Sequence, residues 1–184
     1  METMSNYAKI NKYDIANGPG VRISVFLSGC EHYCKGCFNS EAWDFNYGKP
    51  FTDETIQEIV NAMKPDYIKG ITILGGEPMH PRNIETLYQI VSSIKNKYPK
   101  KTIWVYTGYT LEDLLDMDDI YVSSCLVYID VLVDGRFMEE LKDLTLRFKG
   151  SSNQRIIDVQ ETMKTDGKDI VLWQDWQEGK KGII

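Results

Sequence analysis

Three of the four cysteines in this 184-residue chain lie within eight positions, as Cys30, Cys34 and Cys37. Thiolates are soft ligands, and three of them on one short loop are typical of an iron–sulfur cluster, which normally takes four cysteines. One iron would then lack a protein ligand, and an open position on a metal can bind a substrate directly. In a reducing compartment, such crowding favours metal binding over disulfides. The spacing therefore predicts a [4Fe–4S] cluster held by these three cysteines.

A structural zinc site is the alternative, with His32 or Cys125 as the fourth ligand. Structural zinc sites usually pair two short Cys or His units, and the sequence has only one. His32 lies inside the cysteine loop, where it is poorly placed to join all three cysteines. Cys125 lies in an apolar run, and free cysteine is often a small buried hydrophobic residue. Under this alternative the protein would be a zinc-stabilised interaction module without catalysis.

Further polar and glycine residues follow apolar runs of the sequence. Gly75-Gly76-Glu77 comes after Ile71–Leu74, Thr107 follows a second run, and Asp134 ends a third. In α/β folds, the loops at the carboxyl ends of parallel strands converge on the ligand. A glycine pair also allows the backbone to approach a ligand closely, because glycine has no Cβ and tolerates positive φ. We therefore expect these loops to meet the cysteine loop.

The elements that must position these loops alternate between strand and helix. Apolar periodicity predicts strands over 21–27, 71–74, 102–106, 126–133, 155–159 and 169–173, and helices from Thr52 to Pro65, over 84–98 and around 111–115. Such alternation implies a mostly parallel sheet. Since a complete eight-unit barrel takes about 250 residues, the predicted α/β fold is a partial, open (β/α) barrel of about five or six units. One domain over residues 1–184 is expected.

Composition excludes some classes of partner. The chain has 21 basic and 27 acidic residues and a net charge of −6, which disfavours binding to a phosphate backbone. Residues 1–20 lack the apolar core of a signal peptide, and no run of eighteen apolar residues follows. These features predict a cytoplasmic protein with neither nucleic acid nor membrane as a partner. Trp173 and Trp176 are interpreted as packing residues.

The cysteine spacing, the Gly75-Gly76-Glu77-Pro78 motif and the strand–helix alternation together resemble the radical S-adenosylmethionine superfamily. Residues 17–22, which read Asn-Gly-Pro-Gly-Val-Arg, resemble the glycyl-radical-enzyme activases. Motifs at 36–39, 75–81, 106–109, 130–135 and 150–155 are similar to those of the activases of anaerobic ribonucleoside-triphosphate reductase. Two positions depart from the wider pattern: Gly36 replaces the aromatic residue that usually precedes the third cysteine, and Asn17 replaces a frequent aspartate.

The resemblance implies an oxidoreductase with two cofactors, the [4Fe–4S] cluster and S-adenosyl-L-methionine. The methionine end of the cofactor would chelate the open iron, and reductive cleavage would yield a 5′-deoxyadenosyl radical. That radical would abstract a hydrogen from a glycine of anaerobic ribonucleoside-triphosphate reductase, the implied partner. A flavodoxin or a thiol system would donate the electron. A radical synthase acting on a small metabolite is the alternative enzyme.

The resemblance also implies site residues. No catalytic side chain is expected beyond the cluster and the cofactor. The glycine pair and Glu77 would face the methionine end, Phe38 would stack near the adenine, and the residues at strand ends would bind the ribose or a cation. The full set of expected cofactor-binding residues is Gly36, Cys37, Phe38, Gly75, Gly76, Glu77, Thr107, Asp130 and Asp134.

Overall fold

The computed structural model describes residues 5–174 of the chain. Within them lie the strands β1 (Asn6–Asp14), β2 (Val21–Leu27), β3 (Lys49–Pro50), β4 (Ile68–Gly75), β5 (Thr102–Tyr106), β6 (Val131–Asp134) and β7 (Arg155–Asp158). The α-helices are α1 (Asp53–Ala62), α2 (Ile84–Lys97), α3 (Leu111–Asp116), α4 (Ile120–Tyr128) and α5 (Val159–Met163). Short 3-10 helices cover Ser40–Trp43 and Glu139–Leu141.

All seven strands form one sheet in the order β3-β1-β2-β4-β5-β6-β7. The central strands β2, β4, β5 and β6 pair in parallel, as predicted. The pairings of β1 with β2 and β3, and of β6 with β7, are antiparallel. The α/β class is confirmed, but the sheet is less parallel than expected. Three crossovers join its parallel strands in place of five or six repeated units, and the barrel form stays a prediction.

The two faces of the sheet bury different residues, because side chains alternate along each strand. Ile23 and Val25 of β2 point to a large core, where they join residues from every helix, namely Ile59, Leu87, Leu111, Leu126 and Val159. The opposite face carries Trp104, Val131 and Val133, covered by Phe148 and Trp173. The helices thus form a layer on one face and leave the other to loops.

Local sequence explains where the helices begin. Thr52 caps α1, because its hydroxyl accepts a hydrogen bond from Thr55 N while the Thr55 side chain accepts one from Thr52 N. Thr110 and Asp113 form the same capping box at α3. None of the helices in the described range 5–174 is long and apolar enough to cross a membrane.

The strand predicted over 126–133 is wrong in its first half. Residues up to Tyr128 belong to α4, and only Val131–Asp134 form a strand. Asp119 starts the helix by accepting hydrogen bonds from Tyr121 N and Val122 N. Parallel β5 and β6 also need a crossover connection, which α3 and α4 supply. The continuous apolar run hides this boundary, because it is equally compatible with a buried helix and a buried strand.

Near the end of the described range, the predicted strand over 169–173 is reduced to a single bridge between Ile157 and Leu172. Trp173 packs edge-on against Trp104, with ring centroids 4.9 Å apart, which confirms its interpretation as a packing residue. Trp176 lies outside the described residues.

Candidate metal centre

The cysteine loop begins directly after β2 and is fixed by backbone hydrogen bonds. Gly29 N donates to Ala42 O, and Cys30 N donates to Trp43 O, so the 3-10 helix holds the start of the loop. Tyr33 and Gly36 adopt left-handed φ angles of 49° and 69°, which turn the loop tightly between its cysteines. As a result, Cys30, Cys34 and Cys37 all line one cavity of about 520 Å³.

The three loop cysteines are free thiols that differ in burial. Cys30 is 7% exposed, and desolvation by burial, reinforced by the nearby carboxylate and thiols, raises its pKa to about 11. Burial also raises the pKa of Cys34. Since metals bind thiolates, loading this site would release protons.

Cys125 lies elsewhere, on the buried face of α4, and is fully buried. Its Sγ contacts Ile84 O at 3.9 Å, and burial raises its pKa to about 12. These surroundings confirm that it is a buried hydrophobic residue, remote from the cysteine loop.

The cavity opens at the carboxyl ends of the parallel strands, on the face that the helices leave uncovered. Residues from four successive strands or the turns after them line it, namely Phe26, Leu74, Gly75, Gly76, Tyr106, Thr107 and Gly135. The β6–β7 connection, residues 135–154, closes another side with Phe137, Leu144, Leu146 and Phe148. The structure therefore brings together the cysteines, the glycine pair, Glu77 and Thr107, as expected, and adds His32, which the sequence analysis placed only in the zinc alternative.

The two glycines at the end of β4 are required for different reasons. Gly75 has a φ of 110°, so a side chain there would be strained. At Gly76 a Cβ would lie only 2.5 Å from Gly29 O and 2.9 Å from Ala42 O. Gly76 is thus required by close packing against the start of the cysteine loop, and the expected positive φ applies to Gly75.

Glu77 is almost fully buried, at 1% exposure. Its Oε1 accepts hydrogen bonds from Met79 N at 2.9 Å and Thr107 Oγ1 at 2.8 Å. Its Oε2 accepts from Gly108 N and lies near His32 Nε2, both at 2.7 Å. The carboxylate that the motif offers to the cofactor is therefore surrounded by protein groups.

Of the residues expected near the adenine, Cys37 and Phe38 line the cavity and Gly36 does not. Phe38 lines the cavity at 58% exposure, with its ring 5.1 Å from the Phe137 ring and beneath the Lys142 ammonium. Gly36 instead faces Glu139, whose carboxylate a Cβ at Gly36 would meet at 2.7 Å. An aromatic surface is thus available beside the third cysteine.

The structure does not bring Asp130 and Asp134 to the cavity wall. Asp130 lies at the amino end of β6, where its carboxylate accepts from Ile103 N at 2.7 Å and pairs with Lys95 at 2.8 Å. Asp134 is 1% exposed and accepts hydrogen bonds from Leu111 N and Arg155. Both carboxylates are therefore engaged by groups of the fold: Asp134 is buried and needs such partners, and Asp130 is half-buried.

One supporting residue carries no signal in the sequence. Asn83 is 1% exposed, and its Nδ2 lies within 3.3 Å of three carbonyl oxygens, those of Ser28, Gly29 and Glu77. It thereby joins the cysteine loop to the turn after β4. A lone asparagine before a helix looks like an ordinary cap, so only the fold reveals this contact.

The donor set suits a cluster better than a single ion. Across residues 5–174, no group of three or more His, Cys, Asp or Glu side chains converges closely enough to hold one metal ion. A [4Fe–4S] cluster places each thiolate on a different iron, so it fits separate cysteines along one cavity wall.

The family model for the 4Fe-4S single cluster domain matches residues 16–157. This span begins before the cysteine loop and ends in β7, so it includes the entire cavity.

Curated relatives cover most of the chain. The chain is 45% identical over 153 residues to the anaerobic ribonucleoside-triphosphate reductase-activating protein of Haemophilus influenzae. The aligned residues cover 82% of this chain and 96% of the relative. The protein of the same name from Escherichia coli (strain K12) is 42% identical over 81% of this chain and 96% of its own. That of Enterobacteria phage T4 is 38% identical, over 82% of this chain and 92% of its own.

Proposed function

The chain belongs to the family of anaerobic ribonucleoside-triphosphate reductase-activating proteins, and from this premise we propose that it is a radical S-adenosylmethionine activase. It would cleave S-adenosylmethionine reductively at a [4Fe–4S] cluster and generate a glycyl radical on the reductase. The observation that carries the proposal is the meeting of three free cysteines with a glycine pair in one cavity.

Specific residues would hold the two cofactors. Cys30, Cys34 and Cys37 would bind three irons, which leaves the fourth open to the methionine end of the cofactor. Gly76 packs directly against the start of the cysteine loop, so backbone is available beside that position. When bound, the cluster and S-adenosylmethionine supply the electron transfer and the hydrogen-abstracting chemistry. Phe38 would supply a stacking surface beside the third cysteine.

The proposed substrate is a glycine of the reductase, so the partner is a large protein. The cavity is open on the face without helices, where a polypeptide segment could enter. We propose a flavodoxin or a thiol system as electron donor. Free cysteines also favour a reducing compartment, which supports a cytoplasmic location.

Electron paramagnetic resonance tests this function directly. Anaerobically reconstituted protein is mixed with reductant, S-adenosylmethionine and the candidate reductase, and a glycyl-radical doublet is expected. Omission of S-adenosylmethionine should abolish the doublet. Formation of 5′-deoxyadenosine without a doublet would favour the small-metabolite synthase, whereas colourless protein containing zinc would favour the interaction module.

A further inference from the structure

The chain has two histidines, and each contacts a glutamate of the opposite loop. His32 of the cysteine loop contacts Glu77 in the turn after β4, at 2.7 Å. His80 of that turn contacts Glu31 of the cysteine loop, at 3.2 Å. Two crossed His–Glu contacts therefore join the proposed cluster ligands to the glycine pair.

The inner contact, His32 with Glu77, is buried. The His32 side chain is 7% exposed and the Glu77 side chain 1%. Because a carboxylate only accepts hydrogen bonds, His32 Nε2 must be the donor. The ring is also held by an edge-on contact with Tyr109, with centroids 4.7 Å apart. A short hydrogen bond of this kind, removed from water, is among the stronger polar contacts in proteins.

The outer contact, His80 with Glu31, differs in exposure. The Glu31 side chain is 63% exposed, and exposed pairs of this type contribute little. His80 Nδ1 accepts a hydrogen bond from Arg82 N, which leaves Nε2 as the donor to Glu31. The molecule thus provides a matched pair of contacts that differ mainly in burial.

We propose that His32 and Glu77 are positioning residues that fix the cysteine loop against the glycine pair, and that the Glu77 carboxylate does not bind the cofactor. Glu77 lies in the cavity wall, but its carboxylate already accepts hydrogen bonds from four donors, so its acceptor positions are filled. The donors are Met79 N, Thr107 Oγ1, Gly108 N and His32 Nε2. Through these contacts Glu77 would hold the cysteine loop at a fixed distance from the backbone of the glycine pair, where the cluster and the cofactor would bind. This inference rests on the proposed function.

The test compares variants of both histidines in anaerobically reconstituted protein. His32→Leu should retain the cluster but bind S-adenosylmethionine about 10- to 100-fold more weakly, a loss of the size seen in metal affinity or activity when a group that orients a metal site is removed. His32→Gln keeps an N–H donor and should restore affinity to within about threefold of wild type. The matched control His80→Leu should change affinity less than about threefold. Affinity is read from the change that the cofactor causes in the electron paramagnetic resonance spectrum of the reduced cluster, and iron content is measured in parallel.

Each outcome bears on the proposal. Wild-type affinity in His32→Leu would overturn it, and so would equal losses in His32→Leu and His32→Gln, because side-chain volume would then matter and the donor would not. If His32→Leu fails to assemble a cluster, His32→Asn decides, because its shorter side chain carries an N–H donor that does not reach Glu77. Weaker binding in His32→Asn with normal binding in His32→Gln supports the proposal, and any other pattern overturns it. Failure of the wild-type protein to bind the cofactor would instead refute the proposed function.

Discussion

The four cysteines have surroundings that separate metal ligands from a core residue. We predict that alanine at Cys30, Cys34 or Cys37 abolishes cluster assembly, because nothing else in the loop can hold the exposed iron. Cys125→Ala should retain full iron and sulfide and lower the free energy of unfolding by about 1 kcal/mol, a typical effect of a core substitution. Iron and sulfide analysis after reconstitution is the measurement. Loss of iron in Cys125→Ala alone would show the ligand assignment to be wrong.

The glycine after Gly75 provides a second test at the level of single residues. Because a Cβ at Gly76 would lie 2.5 Å from Gly29 O, and backbone cannot yield as a flexible side chain can, Gly76→Ala should displace the start of the cysteine loop. We expect iron content to fall below about half of wild type, since misplaced ligands of this kind weaken metal binding at least tenfold.

Gly135→Ala is the matched control for Gly76→Ala. Its φ is 95°, but a Cβ there would meet nothing closer than 3.8 Å. It should keep its iron and lose about 1 kcal/mol of stability from backbone strain. Equal iron content in both variants would mean that the close approach at Gly76 does not position the cysteines.

At the level of elements, the sequence predicts best where short-range patterns agree with the fold. β2 and β5 have the predicted bounds, and α1 begins at the predicted cap, Thr52. β1 was not predicted, because its pairing with β2 contains register shifts and its exposed side chains break the apolar alternation. The boundary between α4 and β6 is set by the crossover, which no short window of sequence contains.

In the candidate site, too, residues marked by a local sequence pattern were predicted, and contacts between distant residues were not. Cysteine spacing and glycine pairs are local signals, and the structure brings those residues to one cavity. Asp130 contacts Lys95 and Ile103, which are 35 and 27 residues away in the sequence. The structural role of Asp130 therefore could not be predicted from neighbouring residues. The contact of His32 with Glu77 spans 45 residues and was missed for the same reason.

Arg155 of β7 connects two other elements and makes stability depend on pH. It donates to Glu112 in the first turn of α3 and to Asp134 at the end of β6. The hydrogen bond from Arg155 lowers the pKa of Glu112 from 4.5 to about 2. A lowered pKa stabilises the fold above the ordinary value of 4.5 and loses that effect as the pH falls towards 2.

We therefore predict that Glu112→Gln is less stable than wild type at pH 7, by no more than about 1 kcal/mol because the pair is exposed. The difference should shrink between pH 4.5 and about 2, where wild-type Glu112 becomes protonated. Urea unfolding at several pH values measures it. A difference independent of pH would indicate that Glu112 acts through packing and not through its charge.

On the scale of the whole molecule, the two faces of the sheet differ in what covers them. Helices bury the face with Ile23 and Val25, whereas the cavity face is bordered by the β6–β7 connection. Large apolar side chains stay exposed at the cavity mouth, with Phe38 at 58% and Leu144 at 79%. Since the proposed substrate is a glycine within a large protein, the partner must approach from this side and would cover these residues.

We predict that Leu144→Ser weakens activation of the reductase far more than it slows S-adenosylmethionine cleavage in the absence of reductase, because Leu144 lies at the rim of the cavity with 79% of its surface exposed. Burying a leucine contributes about 1.5–3 kcal/mol, so the reductase concentration for half-maximal activation should rise about tenfold or more. Val127→Ser is the matched control, because Val127 is 71% exposed on α4, whose buried residues pack on the opposite face. It should behave like wild type in both assays. An equal rise in both variants would place the docking surface elsewhere, and an equally large loss of uncoupled cleavage in Leu144→Ser would mean that Leu144 acts through the cavity and not through docking.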